Sequence, residues 1–223
     1  MRFQDAAPDA RAVVYAGVQN DPLVARAADR LADADLPLRL LARAVMNGES
    51  TDPDTWRRMF PTLFGAAVTG DRREAAEALL AIALEVAGRG DAVRSQVRGA
   101  IVEELTTRLL ARRLPTAAIR RERRILFDGV RSEIHPYDVT VEQDGSNAAY
   151  DCKWGARGIG DDVLYQLDDA RSHAADEEAA LDVALVVFDA RVSCEVRLTR
   201  CNAPRSGTRI VSLETLDELA GEP

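Results

Sequence analysis

The chain has 223 residues, 47% hydrophobic and 30% charged, with a formal net charge of −8 at pH 7. That composition fits an ordinary globular protein of one large or two small domains, and no apolar run approaches the ~20 residues needed to cross a bilayer. The first residues, Met-Arg-Phe-Gln-Asp, lack the apolar core of a secretory signal, so the expected location is cytoplasmic.

The first ~90 residues are expected to be all-helical. Asp21-Pro22 looks like an N-cap followed by proline at N1, opening a helix through about Ala32. Leu36 to Met46 is expected to form a second helix, ended by Asn47-Gly48. Asp52-Pro53 repeats the start signal, and Pro61 breaks that segment. Asp71 is expected to cap a long helix to Ala87, with Gly88 as its stop. Arg11 to Ala16 fits either strand or helix. Asp91 opens a further helix to about Arg113, in which Val93, Val97, Ala100, Ile101, Leu105 and Leu109 recur at helical spacing.

Beyond Pro115 the period changes. Strands are expected at Arg124–Phe127, Ile134–Gln143 and Ala148–Trp154. Gly155, Gly158 and Gly160 mark a loop, and Asp162 to Ala175 reads as helix. The apolar run Val183–Phe188 suits a strand buried on both faces. Val192–Leu198 alternates like another strand, Arg209–Ser212 suggests one more, and Ser212 or Thr215 starts a short final helix. Two domains are therefore expected: a helical region over 1–90 and an α/β domain over 91–223.

The segment from Asp138 to Lys153 reads as a β-hairpin, because Asp144-Gly145 is a strong turn signal between β-forming residues. A two-residue turn there makes opposed residue numbers sum to 289, which sets Asp138 opposite Asp151. Directly opposed side chains sit ~4.5–5.5 Å apart at Cβ. Two carboxylates that close repel unless a cation lies between them. Lys153 alternates onto the face of Asp151. The competing reading is a surface ion pair of small value.

Three cysteines without CxxC spacing argue against a disulfide framework or a cysteine zinc site. His135 and His173 are the only histidines, so histidine-based zinc chemistry is not expected. From Arg108 to Arg131 a local basic stripe includes Arg120, Arg121, Arg123 and Arg124. These four are candidate nucleic-acid contacts on an otherwise acidic chain; alternatively they pair with acidic neighbours.

The α-β-β-β-α-β order with Asp138 and Asp151-x-Lys153 resembles the PD-(D/E)xK nuclease superfamily, the restriction-endonuclease-like fold. Gly99-Ala-Ile-Val-Glu103 is similar to the family's Gly-x-x-x-Glu element, and Gln166 stands where some branches carry a helix glutamine. Tyr137 replaces the proline of the family motif, and an aspartate replaces the glutamate before x-Lys. The resemblance covers about residues 91–215. It implies an α/β fold with a restriction-endonuclease-like core and a mixed central sheet. It further implies a Mg²⁺- or Mn²⁺-dependent deoxyribonuclease, with Glu103, Asp138, Asp151, Lys153 and Gln166 as catalytic residues. Glu103, Asp138, Asp151 and the Cys152 backbone carbonyl would then be the metal ligands. DNA is the expected partner, with RNA not excluded. The helical region is a candidate surface for a homodimer or a partner protein, as suits a defence or repair system. The alternative is an inactive nuclease-like module that binds nucleic acid or a partner.

Overall fold

The computed structural model describes residues 1–223 except 8–9, 49–51, 132–134, 144, 204–206 and 222–223, and describes no side chains over 10–13 or at 131. The expected strand start at Ile134 and the turn residue Asp144 lie outside the described residues. The chain forms two compact units: residues 10–108, and residues 1–9 with 109–223. The division falls later than the expected boundary at residue 91, and it returns the first residues of the chain to the second unit.

The first unit is helical. It holds α1 (Ala10–Gln19), α2 (Pro22–Ala32), α3 (Leu36–Asn47), α4 (Pro53–Met59), α5 (Pro61–Phe64), α6 (Gly70–Ala87) and α7 (Asp91–Ala111) up to Arg108. The start signals work as their chemistry requires. Asp21 accepts the Leu23 N–H at 2.9 Å, Asp35 that of Leu38 at 3.2 Å, and Asp52 that of Thr55 at 3.0 Å. Each satisfies an N–H that the first turn leaves without an intrahelical acceptor, and proline stands at N1 or N2 of all three helices. In α6, Thr69 is the N-cap residue instead of Asp71, which lies inside the first turn and there complements the helix dipole. The α2, α3 and α6 stripes meet in a core that includes Val24, Leu31, Leu41, Val45, Leu79 and Val86.

The second unit is built on a mixed sheet. Its strands are β1 (Arg2–Asp5), β2 (Ile119–Phe127), β3 (Val130–Arg131), β4 (Tyr137–Gln143), β5 (Ser146–Lys153), β6 (Leu181–Val187) and β7 (Arg209–Val211). The order is β1-β2-β4-β5-β6-β7, with β3 pairing β2. Strands β1, β2, β4 and β5 are antiparallel neighbours, whereas β5–β6 and β6–β7 are parallel. The crossover from β5 to β6 runs through a 3₁₀ turn (Ala156–Gly158) and α8 (Asp161–Asp176). Leu164, Leu167, Ala170 and Ala174 of α8 pack in one core with Ala149, Leu185 and Val187 of the sheet.

Three elements depart from the sequence reading. Arg2–Asp5, expected within the helical region, is strand β1 paired with β2. Val192–Leu198, expected as a strand, is helix α9 (Arg191–Leu198). The alternating valines Val192 and Val196 are exposed, and Cys194 is the one buried residue of the helix. An Arg191–Glu195 ion pair at i,i+4 supports the same helix. Strand β2 is nine residues long and starts inside the arginine stripe, well before the expected Arg124.

Candidate functional site

The β4–β5 hairpin places the acidic pair. Its ladder pairs Val139 with Tyr150 and Gln143 with Ser146, the register summing to 289. Gly145 turns with φ 76°, a conformation that favours glycine. The regular pairing ends at Val139–Tyr150. At the next position Asp138 Oδ2 accepts the backbone N–H of Cys152 at 2.6 Å, so its carboxylate stitches the two strands together. Asp151 is 7% exposed. A carboxylate this buried needs a compensating partner, and Lys153 Nζ forms an ion pair with Asp151 Oδ1. Burial disfavours the charged lysine, but the nearby Asp151 and Asp138 carboxylates reverse that and hold it above the ordinary lysine range.

Lys153 carries a signal that motif reading passed over. Of the 29 lysine and arginine residues in the chain, it is the only lysine. Among the described residues arginine serves the other ion pairs between side chains, from Arg26–Glu85 to Arg209–Asp182. Lysine differs in being a compact point charge with three donors on a flexible stem. Its sole use is beside the buried Asp151 carboxylate.

No protein-family model and no curated protein matches this chain. Among solved structures the chain is similar to the crystal structure of protein VC1899 from Vibrio cholerae, with 18% identity and a TM-score of 0.48. The match covers 99% of this chain and 57% of the other, so this chain spans little more than half of that protein's length.

Glu103, on α7, belongs to the helical unit and is 4% exposed. The Tyr15 hydroxyl donates to its Oε1, and Gln19 Nε2 donates to Oε2 at 2.8 Å. Gly99 sits close to the same group: a Cβ there would lie 3.2 Å from the Tyr15 hydroxyl. Gln166 is buried at 5% exposure and its amide clamps the backbone of His135. Its Oε1 accepts the His135 N–H and its Nε2 donates to the His135 carbonyl, both at 3.2 Å. Its own carbonyl accepts from the Tyr137 hydroxyl at 3.3 Å. Gln166 therefore fixes the approach to β4 through the backbone of His135.

The arginine row is also divided. Arg123 is committed inside the sheet, paired with Asp5 at 3.0 Å and Glu142 at 2.8 Å, and stacked over the Phe3 ring. Arg121 and Arg124 have partners of their own, and Arg120 is exposed. Trp154 stacks on Phe188 with centroids 4.9 Å apart.

Among the described residues no three His, Cys, Asp or Glu side chains gather into a metal cluster, and no helix is long and apolar enough to span a membrane.

Proposed function

We propose that this protein is a divalent-metal-dependent nuclease that hydrolyses DNA phosphodiester bonds on a restriction-endonuclease-like core. The observation that carries the reading is the sole lysine of the chain, half-buried beside the Asp151 and Asp138 carboxylates. The order α7-β2-β4-β5-α8-β6, antiparallel up to β5 and parallel from β5 to β6, supports the fold assignment.

The donor chemistry fits a hard cation. Mg²⁺ takes oxygen ligands, is usually held by one or two carboxylates and keeps several waters, so two aspartates suffice without a third acidic side chain. Asp138 and Asp151 would hold it, with the Cys152 carbonyl as a further oxygen. Such an ion supplies Lewis-acid polarisation of the phosphoryl oxygens and a water acidic enough to attack near neutral pH. The chain's own residues do the rest. Asp138 ties β4 to Cys152 and so fixes the pair of strands. Lys153 presents a positive charge where negative charge develops on the phosphoryl group, the kind of preorganised electrostatics worth most at a desolvated site.

Purified protein incubated with DNA and Mg²⁺ or Mn²⁺ should cleave it, and Asp151→Asn and Lys153→Ala should not. Equal activity in wild type and both variants overturns the proposal. A wild type that neither cuts DNA nor takes up Mn²⁺ by calorimetry favours the alternative, a binding module. An RNA substrate run in parallel fixes the nucleic acid.

A further inference from the structure

The loop that follows Lys153 is fastened at two points that the motif does not include. We infer that Asp189 and Gly158 are positioning residues for Lys153, a role that rests on the nuclease reading only for its effect on cleavage. Asp189 stands just past the end of β6. Its Oδ2 accepts the Ala156 N–H at 2.9 Å, and its Oδ1 accepts the Ala190 N–H at 2.9 Å. Ala156 is the first residue of the 3₁₀ turn Ala156–Gly158. The turn is closed by Gly158 N–H to the Gly155 carbonyl at 2.9 Å and Ile159 N–H to the Ala156 carbonyl at 3.0 Å. A turn this short transmits the position of its first residue to its last.

The last residue is Gly158, and it lies on the lysine. A Cβ built there would come within 3.0 Å of Lys153 Cβ, Cγ and Cδ. The glycine backbone therefore lies against the aliphatic stem, so close that a methyl there would push the stem by a few tenths of an ångström. From the other side, the Phe188 N–H holds the Lys153 carbonyl at 2.8 Å and extends the β5–β6 pairing by one bond. Asp189 is the next residue after Phe188. One short stretch at the end of β6 thus grips Lys153 twice, through its own carbonyl and through the turn pressed on its stem. The ammonium is left on Asp151 with little freedom. A catalytic cation gains from this, because an error of about 1 Å in placement can cost on the order of 100-fold in rate.

The single lysine makes the test direct. Lysine-selective ¹³C labelling gives one lysine spin system, that of Lys153, whose Cε order parameter reports its rigidity. We expect a rigid Cε in the wild type. Asp189→Asn, which removes the charge and one acceptor, should lower the order parameter. Gly158→Ala, which adds one methyl against the stem, should shift the Lys153 side-chain resonances. Glu195→Ala on α9 breaks the exposed Arg191 pair and should leave both unchanged. In cleavage assays Asp189→Asn and Gly158→Ala should lower kcat with KM for DNA little altered. Folded Asp189→Asn and Gly158→Ala proteins with a wild-type Lys153 signal overturn the inference, whatever their melting temperatures. Altered Lys153 signals in a protein whose wild type cuts no DNA leave the positioning role standing and remove the nuclease reading instead.

Discussion

Asp138 joins Cys152 across the open end of the hairpin, its Oδ2 accepting the Cys152 N–H at 2.6 Å where the regular β4–β5 ladder has already stopped. The aspartate therefore has a structural role besides any charge it offers a metal, and the two separate by substitution. Asp138→Asn keeps a carbonyl oxygen able to accept the Cys152 N–H. Asp138→Ala leaves that N–H without the acceptor, at about 1–3 kcal/mol. The expected outcome is a near-wild-type melt for Asp138→Asn with cleavage reduced by roughly 10²-fold or more. For Asp138→Ala, both stability and cleavage should fall. Thermal melts and single-turnover cleavage on the same preparations check it, and an active Asp138→Asn protein counts against a metal at this carboxylate.

Metal binding also has a readout without turnover. A ligand at 100 times its Kd that binds only the folded state stabilises by about 2.7 kcal/mol. At roughly 2–4 °C per kcal/mol for a protein of this size, Mn²⁺ should raise Tm by about 5–10 °C. Asp151→Asn should remove most of that rise, and Lys153→Met should retain it, since the lysine is no ligand. A Tm indifferent to Mn²⁺ in the wild type argues for the binding-module alternative.

The Lys153–Asp151 pair sets an alkaline limit. Lys153 is raised above its ordinary value of 10.5 in the folded state, because the Asp151 and Asp138 carboxylates outweigh the cost of burying its charge. A group raised on folding stabilises fully below its unfolded pKa, and that contribution is lost as pH rises through the folded one. Wild-type stability should therefore decline above about pH 10.4 more steeply than that of Lys153→Met, in which nothing titrates at this position. At neutral pH the order is reversed. Lys153→Met leaves a buried carboxylate uncompensated and should be less stable by about 2 kcal/mol, less than the 3–5 typical of a fully buried pair because the lysine is partly exposed. Urea titrations of both proteins at neutral and alkaline pH give the comparison.

The hairpin was legible because its signals are local and agree. An Asp-Gly turn sets the register, alternation sets the faces, and the observed Val139–Tyr150 pair follows from both. The two Asp-Pro helix starts, at Asp21 and Asp52, were legible for the same reason. What stayed hidden depends on long-range partners. Strand β1 is four residues with one buried side chain, Phe3, and becomes a strand only by pairing with β2 more than 100 residues away. The arginines at the start of β2 obscured a strand whose run of buried residues lies at its far end, in Ile125, Leu126 and Phe127, with Ile119 buried alone at its start. In α9 the alternation of Val192, Cys194 and Val196 imitated a strand, while the Arg191–Glu195 spacing pointed to the helix that forms. At the candidate site, composition held a clue that spacing did not: the one lysine. Asp189 has no motif around it, and only the fold brings it to Ala156.

Glu103 supplies a test inside the helical unit that is independent of catalysis. Its partners Tyr15 and Gln19 lie 88 and 84 residues earlier, so no sequence pattern joins them. Tyr15→Phe deletes the hydroxyl that donates to a carboxylate 4% exposed and should cost about 1–3 kcal/mol. Gly99→Ala sets a methyl 3.2 Å from the same hydroxyl and should destabilise by displacing it. Because both changes act on one contact, their costs should not add. Once the hydroxyl is gone, the methyl has less to collide with, so the double variant should be more stable than the sum predicts, by a coupling of about 0.5 kcal/mol or more. Chemical denaturation of the four proteins measures it directly. Strict additivity shows that Gly99 does not serve to admit Tyr15.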